Sequence, residues 1–179
     1  DIKPKNLTDA EKKEVFANTK GWVREAGSIL SGNGNTSADP EVLVAIGGLS
    51  ANMGSANITE LEFITTAFDK SDGGTLQVRA RFNEPVTVTG TPQLTVVNDS
   101  RANHTLSYAS GSTTNELVFS LTIGAANAAT NAGDVLSLGA NAMSLNGGTI
   151  KDTGQSGTNA TITNAASIGT AAGTITVTA

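Results

Sequence analysis

Between Leu76 and Phe82 the chain alternates strictly. Leu76, Val78, Ala80 and Phe82 fall on one side, and Gln77, Arg79 and Arg81 on the other. A two-residue period is that of a strand with one face buried. Leu117, Phe119, Leu121 and Ile123 repeat the pattern. Shorter apolar alternations come at Leu61 and Phe63, Val86 and Val88, Leu94 and Val96, and Leu106 and Tyr108. Weaker ones follow at Val135–Leu138, Met143–Leu145, Ile150, Ala160–Thr163 and Thr174–Thr178. Turn-forming clusters part them: Asp69-Lys70-Ser71-Asp72-Gly73-Gly74, Gly90-Thr91-Pro92 and Asn98-Asp99-Ser100. Pro85, which has no N–H for a ladder, is expected to close the first long strand. Many short strands separated by turns predict an all-β sandwich.

The chain before residue 58 follows another pattern. Thr8 with Glu11 three residues on is a capping box, and Asp9 adds a favourable charge to a first turn. They predict a short helix from Thr8 to Thr19, with Val15 and Phe16 as its small apolar face. The single Trp follows, in Gly21-Trp22-Val23-Arg24, and then the polar loop Ser31–Pro40. Val42-Leu43-Val44-Ala45-Ile46 is too short for a helix and rich enough in β-branches for a strand. Ala125–Gly133 reads as a loop or a single helical turn, and no helix is expected after residue 20.

Composition changes the picture in two ways. Aromatic residues are only 4% of the chain, so its core is built from Val, Leu, Ile and Ala. Charged residues are 15%, which leaves the surface to Thr, Ser, Asn and Gly. The charges are also uneven. Every basic residue except Arg101 and Lys151 lies before residue 84, which argues for two sections of different role. The net charge is −5 and no basic cluster is present, so nucleic acid is not an expected partner. There is no Cys, hence no disulfide or thiolate site. No apolar run reaches the roughly 18 residues that span a bilayer, so no membrane partner is expected. Asp1–Lys5 does not read as a signal peptide.

Candidate chemistry is sparse. A Ser-His-Asp arrangement needs a His with an orienting carboxylate. The single His104 has Asp99 near it in sequence but no nucleophile elbow, and reads as a surface or strand-edge residue. Glu60 and Glu62 share one strand face and read as its solvated side rather than a glycosidase pair. Asp69–Gly74 lacks the spaced ligands and closing Glu of a calcium-binding EF-hand loop and reads first as a turn, with calcium binding as the lesser alternative. Gly32-Asn33-Gly34-Asn35 has neither the strand-to-helix context nor the Lys-Ser/Thr of a phosphate loop. No catalytic, cofactor or metal residue is assigned, and no enzyme activity is expected. Trp22 has two readings: a core residue, or an anchor buried against a partner, where Trp supplies much area with one polar handle.

Two resemblances add to this. Leu76–Leu94, with Phe82-Asn83-Glu84-Pro85-Val86 leading into the Thr89-Gly90-Thr91-Pro92 turn, resembles the bacterial immunoglobulin-like repeats of large surface adhesins. Tyr108–Ser112, Leu117–Phe119 and Leu145-Asn146-Gly147-Gly148-Thr149-Ile150-Lys151-Asp152 extend that likeness from about Ile58 to Asn164. The N-terminal Gly21–Arg24, Ser31–Asn35 and Pro40–Ile46 resemble the opening of small virion proteins of tailed phages, cyanophages especially. Together they imply an immunoglobulin-like β-sandwich at 58–166, an N-terminal docking extension at 1–57 and a C-terminal strand or tail at 167–179. The expected role is a capsid decoration or cement protein on the outer surface of a virion. Its expected partners are the major capsid protein and copies of itself, as trimers at threefold positions. Trp22, Val23, Arg24, Leu43, Val44 and Ile46 are the expected contact residues. The alternative is an adhesin-like or tail-fibre module that binds a host-surface glycan or protein.

Overall fold

The computed structural model describes residues 3–28, 30 and 34–179. Part of the polar loop, residues 31–33, and the first two residues lie outside the described residues. The fold is all-β and sandwich-like. A three-stranded N-terminal sheet sits beside a much larger sheet that curls around one hydrophobic core.

The N-terminal helix forms but is short. α1 spans Asp9–Lys13, and the capping box is closed in both directions: Glu11 N–H donates to Thr8 Oγ1 at 3.2 Å, and Thr8 N–H to Glu11 Oε2 at 2.8 Å. The expected continuation to Thr19 is instead a strand, β1 (Val15–Asn18), which turns back into β2 (Gly21–Arg24). Val15, Phe16 and Ala17 are all buried, so the strand is covered on both faces and its two-residue period is hidden. Asn18 Oδ1 accepts from Lys20 N–H at 2.8 Å and shapes the turn. Gly21 follows with φ of 135°, and a Cβ there would lie 2.0 Å from Val44 O. Only glycine lets β3 (Glu41–Ala45) pack so closely along β2. The strand expected at Val42–Ile46 is thus present. α2 (Leu49–Asn52) is a single turn that leads into the sandwich.

The remaining strands are β4 (Ile58–Phe63), β5 (Phe68–Asp69), β6 (Gly74–Thr89), β7 (Gln93–Asn98), β8 (His104–Ser110), β9 (Thr114–Ile123), β10 (Val135–Ser137), β11 (Met143–Ser144), β12 (Thr149–Asp152) and β13 (Thr174–Thr178). Among the described residues they form one sheet in the order β12-β6-β9-β8-β7-β10-β13-β5, with β4 also on β6 and β11 on β7. Pro85 does not end the first long strand: β6 runs through it for 16 residues. Its first half pairs with β4 and with β9 up to Arg81↔Glu116. Pairing then breaks, resumes at Val86↔Thr114, and the second half pairs with β12. The break spans Phe82, Asn83, Glu84 and Pro85. Here the missing Pro N–H forces a bulge and burial loses its alternation.

Leu76, Val78, Ala80 and Phe82 are fully buried and meet Leu117, Phe119, Leu94, Val96, Leu106, Leu136 and Ile150. Tyr108 packs edge-on against Phe119, with ring centres 6.2 Å apart. Ala160–Thr163 makes only isolated bridges rather than a strand. A helix is present late in the chain against expectation: α3 (Ala166–Ala171) packs on β4. A Cβ on its Gly169 would come within 2.4 Å of Leu138 O, so a glycine lets the helix backbone lie on the strand layer. β13 pairs antiparallel with β10 and parallel with β5, so it belongs to the sheet rather than to a tail.

Candidate docking surface

Strand register builds a charged face on the outside of the sandwich. Glu60 on β4 lies opposite Arg81 on β6, and Arg81 opposite Glu116 on β9. Glu62 lies opposite Arg79. Opposite charges facing each other across strands attract. Arg81 donates to Glu116 from Nε, to Glu60 at 3.0 Å and to Glu25 at 3.3 Å. Arg79 donates to Glu62 at 3.0 Å and to Glu116 at 3.3 Å.

Around Arg81 this face is largely closed to solvent. The extension lies over it: Lys13 of α1 pairs with Glu60 at 2.6 Å, and Glu25, just past β2, reaches Arg81. Arg81 is only 8% exposed. The reading of Glu60 and Glu62 as a solvated side is therefore corrected for Glu60, because the extension covers it. Burial pushes the Glu25 carboxyl up to about 7; Arg81 opposes the shift and Glu116 adds to it. Burial also works against the charge on Arg81, but Glu116, Glu25 and Glu60 outweigh it and raise its pKa. Glu116 titrates lower than usual, because the bond from Arg81 outweighs its burial. Lys3 is drawn down to about 8 by burial.

A small apolar cluster holds the extension together from within. Val15, Ala17 and Trp22 are buried, with Leu7, Leu43, Leu49 and Met53 packed around them. Trp22 is 6% exposed, which favours its reading as a core residue of the extension. Of the expected contact residues, Val23 is fully buried. Arg24 is 9% exposed and pairs with Glu11 at 3.3 Å and Glu41 at 3.7 Å. These three side chains face inward because both sides of β2 are covered, so they present no contact area. Leu43 is half-buried against Trp22. Val44 and Ile46 are open, at 40% and 43% exposure, and Val42 joins them at 44%. β3 is the outer strand of its sheet, so these side chains stand beside a free backbone edge.

The candidate chemical groups are engaged elsewhere. His104 is buried rather than on the surface or an edge, because it opens β8 opposite Val96. Its Nε2 lies 3.3 Å from Asn98 Nδ2, and Asn98 Nδ2 donates to Asp134 at 3.0 Å. Burial lowers its pKa, and Asp134 opposes the shift. Among the described residues its side-chain contact is to an amide, not to a hydroxyl. Asp69 closes its own turn: its Oδ1 accepts from Ser71 N–H at 2.7 Å and Ser71 Oγ at 2.6 Å, and its Oδ2 from Thr178 Oγ1 at 3.0 Å. A cavity of about 390 Å³ is lined by Trp22, Leu49, Met53, Gly54, Ser55, Asn57 and Asn83, none of them an acid or a base. Among the described residues, no group of three or more His, Asp or Glu side chains converges as a metal site. No described helix is long and apolar enough to cross a membrane.

Sequence reasoning missed the ion-pair face between extension and sandwich. Part of the signal was there in the crowding of charge before residue 84, which supplies Lys13, Glu25, Glu60, Glu62, Arg79 and Arg81, while Glu116 joins them from β9. Comparison with protein-family models, with curated protein sequences and with solved structures finds no match.

Proposed function

We propose that this chain is a non-catalytic structural protein that docks on a larger assembly through β3, acting as a decoration or cement protein on a phage capsid. One observation carries the reading: Val42 and Val44 on the outer strand β3, and Ile46 just past its end, stay 40–44% exposed, in a chain that buries most of its other large apolar residues. Covering what remains open of each is worth about 1 kcal/mol. A free strand edge can also accept a further strand from a partner. The resemblance of the N-terminal segment to small phage virion proteins supports the setting. The mechanism is mechanical. Many copies, each adding a modest interface, stabilise the assembled shell by mass action. Self-association as trimers at threefold positions fits shell symmetry.

The test is copy number per particle, from mass measurement or particle reconstruction, with wild-type chain and the double variant Val44→Asp/Ile46→Asp. Shell decoration expects stoichiometry with the shell subunits, and loss of the variant from particles at unchanged Tm. A count matching only the symmetry of a tail overturns the shell location. Specific binding of the wild type to one sugar on a glycan array, undisturbed by the variant, favours the adhesive reading instead.

A further inference from the structure

A buried polar network joins β7, β8 and β10. Asn98 ends β7, His104 opens β8 and Asp134 stands just ahead of β10, and all three are buried. Asn98 Oδ1 accepts from two backbone N–H groups, Ser100 at 3.0 Å and Arg101 at 3.1 Å. Those two donors fix which end of the amide is the oxygen. Its Nδ2 therefore faces the other way, donating to Asp134 Oδ2 at 3.0 Å and meeting His104 Nε2 at 3.3 Å. A ring nitrogen that meets an amide NH₂ has to be the acceptor. The network thus assigns His104 as a neutral ring with its proton on Nδ1.

A proton on Nε2 would set one N–H against another. Asn98 cannot answer by turning over, because its NH₂ would then face the N–H groups of Ser100 and Arg101. A charged His104 and the Asn98 bridge therefore exclude each other. The same residues hold the last strand in place. Asn98 pairs with Leu136 of β10. Asp134 O accepts from Val177 N–H of β13 at 2.9 Å, and Gly133 N–H donates to Val177 O at 2.9 Å. Asp134 Oδ2 also accepts from Asn131 N–H at 2.9 Å, which shapes the turn into β10. Loss of the bridge thus reaches β13 through one residue. β7, β8, β10 and β13 carry no other charged side chain. The charged groups around the ring are Asp134, Arg101 and Asp99. Asp134 favours an imidazolium, but Arg101 Nε already pairs with it at 3.3 Å. Asp99 Oδ1 is occupied by Val135 N–H and Ser100 Oγ, each at 2.9 Å. Burial of the ring works against its charge and outweighs Asp134.

We propose that His104 is an acid-sensitive latch on the seam where β13 closes the sheet: in mild acid Nε2 takes a proton, the Asn98 bridge breaks, and β10 and β13 loosen together. The closed seam holds the ring neutral, while an open seam lets it bind a proton near its ordinary pKa of about 6.5. The stability that the latch contributes is therefore full above about pH 6.5 and is lost as pH falls below that value. At pH 5 an ordinary histidine is protonated about 30-fold over its neutral form, which is the ceiling on the shift toward the open seam. Opening uncovers Phe68 and Leu136, both buried beside β13, and frees strand edges that another strand can join. This inference does not depend on the docking role.

The test is amide hydrogen exchange of the full chain at pH 7.5 and pH 5, corrected for intrinsic rates, in wild type and His104→Gln. Gln offers Asn98 an acceptor oxygen near the place of Nε2 and does not titrate, so the variant is expected to fold with its seam closed at both pH values. In the wild type, protection of Val135–Ser137 and Thr174–Thr178 should fall several-fold at pH 5, up to the 30-fold ceiling. In His104→Gln it should hold. Glu25 lies in the extension and acts on both chains alike, so the difference between them isolates His104. Nitrogen-15 NMR of the wild-type imidazole gives a second readout that needs no variant: at pH 7.5 the ring should carry its proton on Nδ1. The proposal is overturned by a proton on Nε2 at pH 7.5, by wild-type seam protection that is unchanged at pH 5, or by an equal fall in His104→Gln.

Discussion

Replacing Arg81 with Ala tests whether charge holds the extension on the sandwich. Arg81 bonds three carboxylates from three parts of the chain: Glu60 on β4, Glu116 on β9 and Glu25 after β2. With side-chain exposures of 11%, 25% and 22%, none of the three can recover full hydration in place. Removing one member of a buried ion pair costs about 3–5 kcal/mol, because the remaining charge is left uncompensated. Lys13 on Glu60 and Arg79 on Glu116 remain, so the lower half of that range is the expected loss. That is a large share of the 5–15 kcal/mol typical of a domain. Among the described residues Glu25 pairs with no other cation, so the extension should suffer first. The assay is urea unfolding at pH 7.5 followed two ways. Fluorescence of Trp22, the single Trp, reports the extension, and far-UV circular dichroism reports mainly the sandwich strands. In Arg81→Ala the fluorescence midpoint should fall further than the dichroism midpoint. Adding Glu25→Gln should restore part of the loss by removing one orphaned charge. A loss below about 1 kcal/mol, or a double variant no better than the single one, would refute the reasoning.

Two further outcomes follow from the same geometry. The folded-state pKa of Glu25 lies above its unfolded value, so the folded chain binds the extra proton. Its contribution to stability is full below about pH 4.5 and is lost as pH rises through about 7. Urea midpoints should fall between pH 5 and pH 8, and Glu25→Gln should flatten that slope; an unchanged slope would rule Glu25 out. Gly21→Ala puts a Cβ 2.0 Å from Val44 O at φ of 135°, so it should pry β3 from β2, redden Trp22 emission and leave the sandwich dichroism near wild type. Unshifted emission would show that β2 and β3 are not packed as described.

The sandwich was legible where one strand face meets the core and the other does not. Leu76–Phe82 shows its period because Gln77 and Arg79 are only half-buried. The β1–β2 hairpin was not legible, because Val15, Phe16 and Ala17 are buried in succession and look like a helix face. α3 carries no side-chain cap and is built of Ala, Ser, Ile, Gly and Thr, which leave no amphipathic period to read. In the docking surface, the apolar character of Val44 and Ile46 was visible, while the inward turn of Trp22, Val23 and Arg24 was not. That turn depends on the β1–β2 hairpin packing on the sandwich through β6 and under α2, a tertiary fact that no local pattern encodes.

The place of β13 has a consequence for how the molecule is made. It lies between β10 and β5, joining residues 174–178 to residues 68–69 near the middle of the chain. Until residues 174–178 have emerged from the ribosome, Phe68 and Val135 lack their partner strand and leave part of the interior in water. The sheet closes only as β13 slides into that slot, so every strand described before it is made while this seam still stands open.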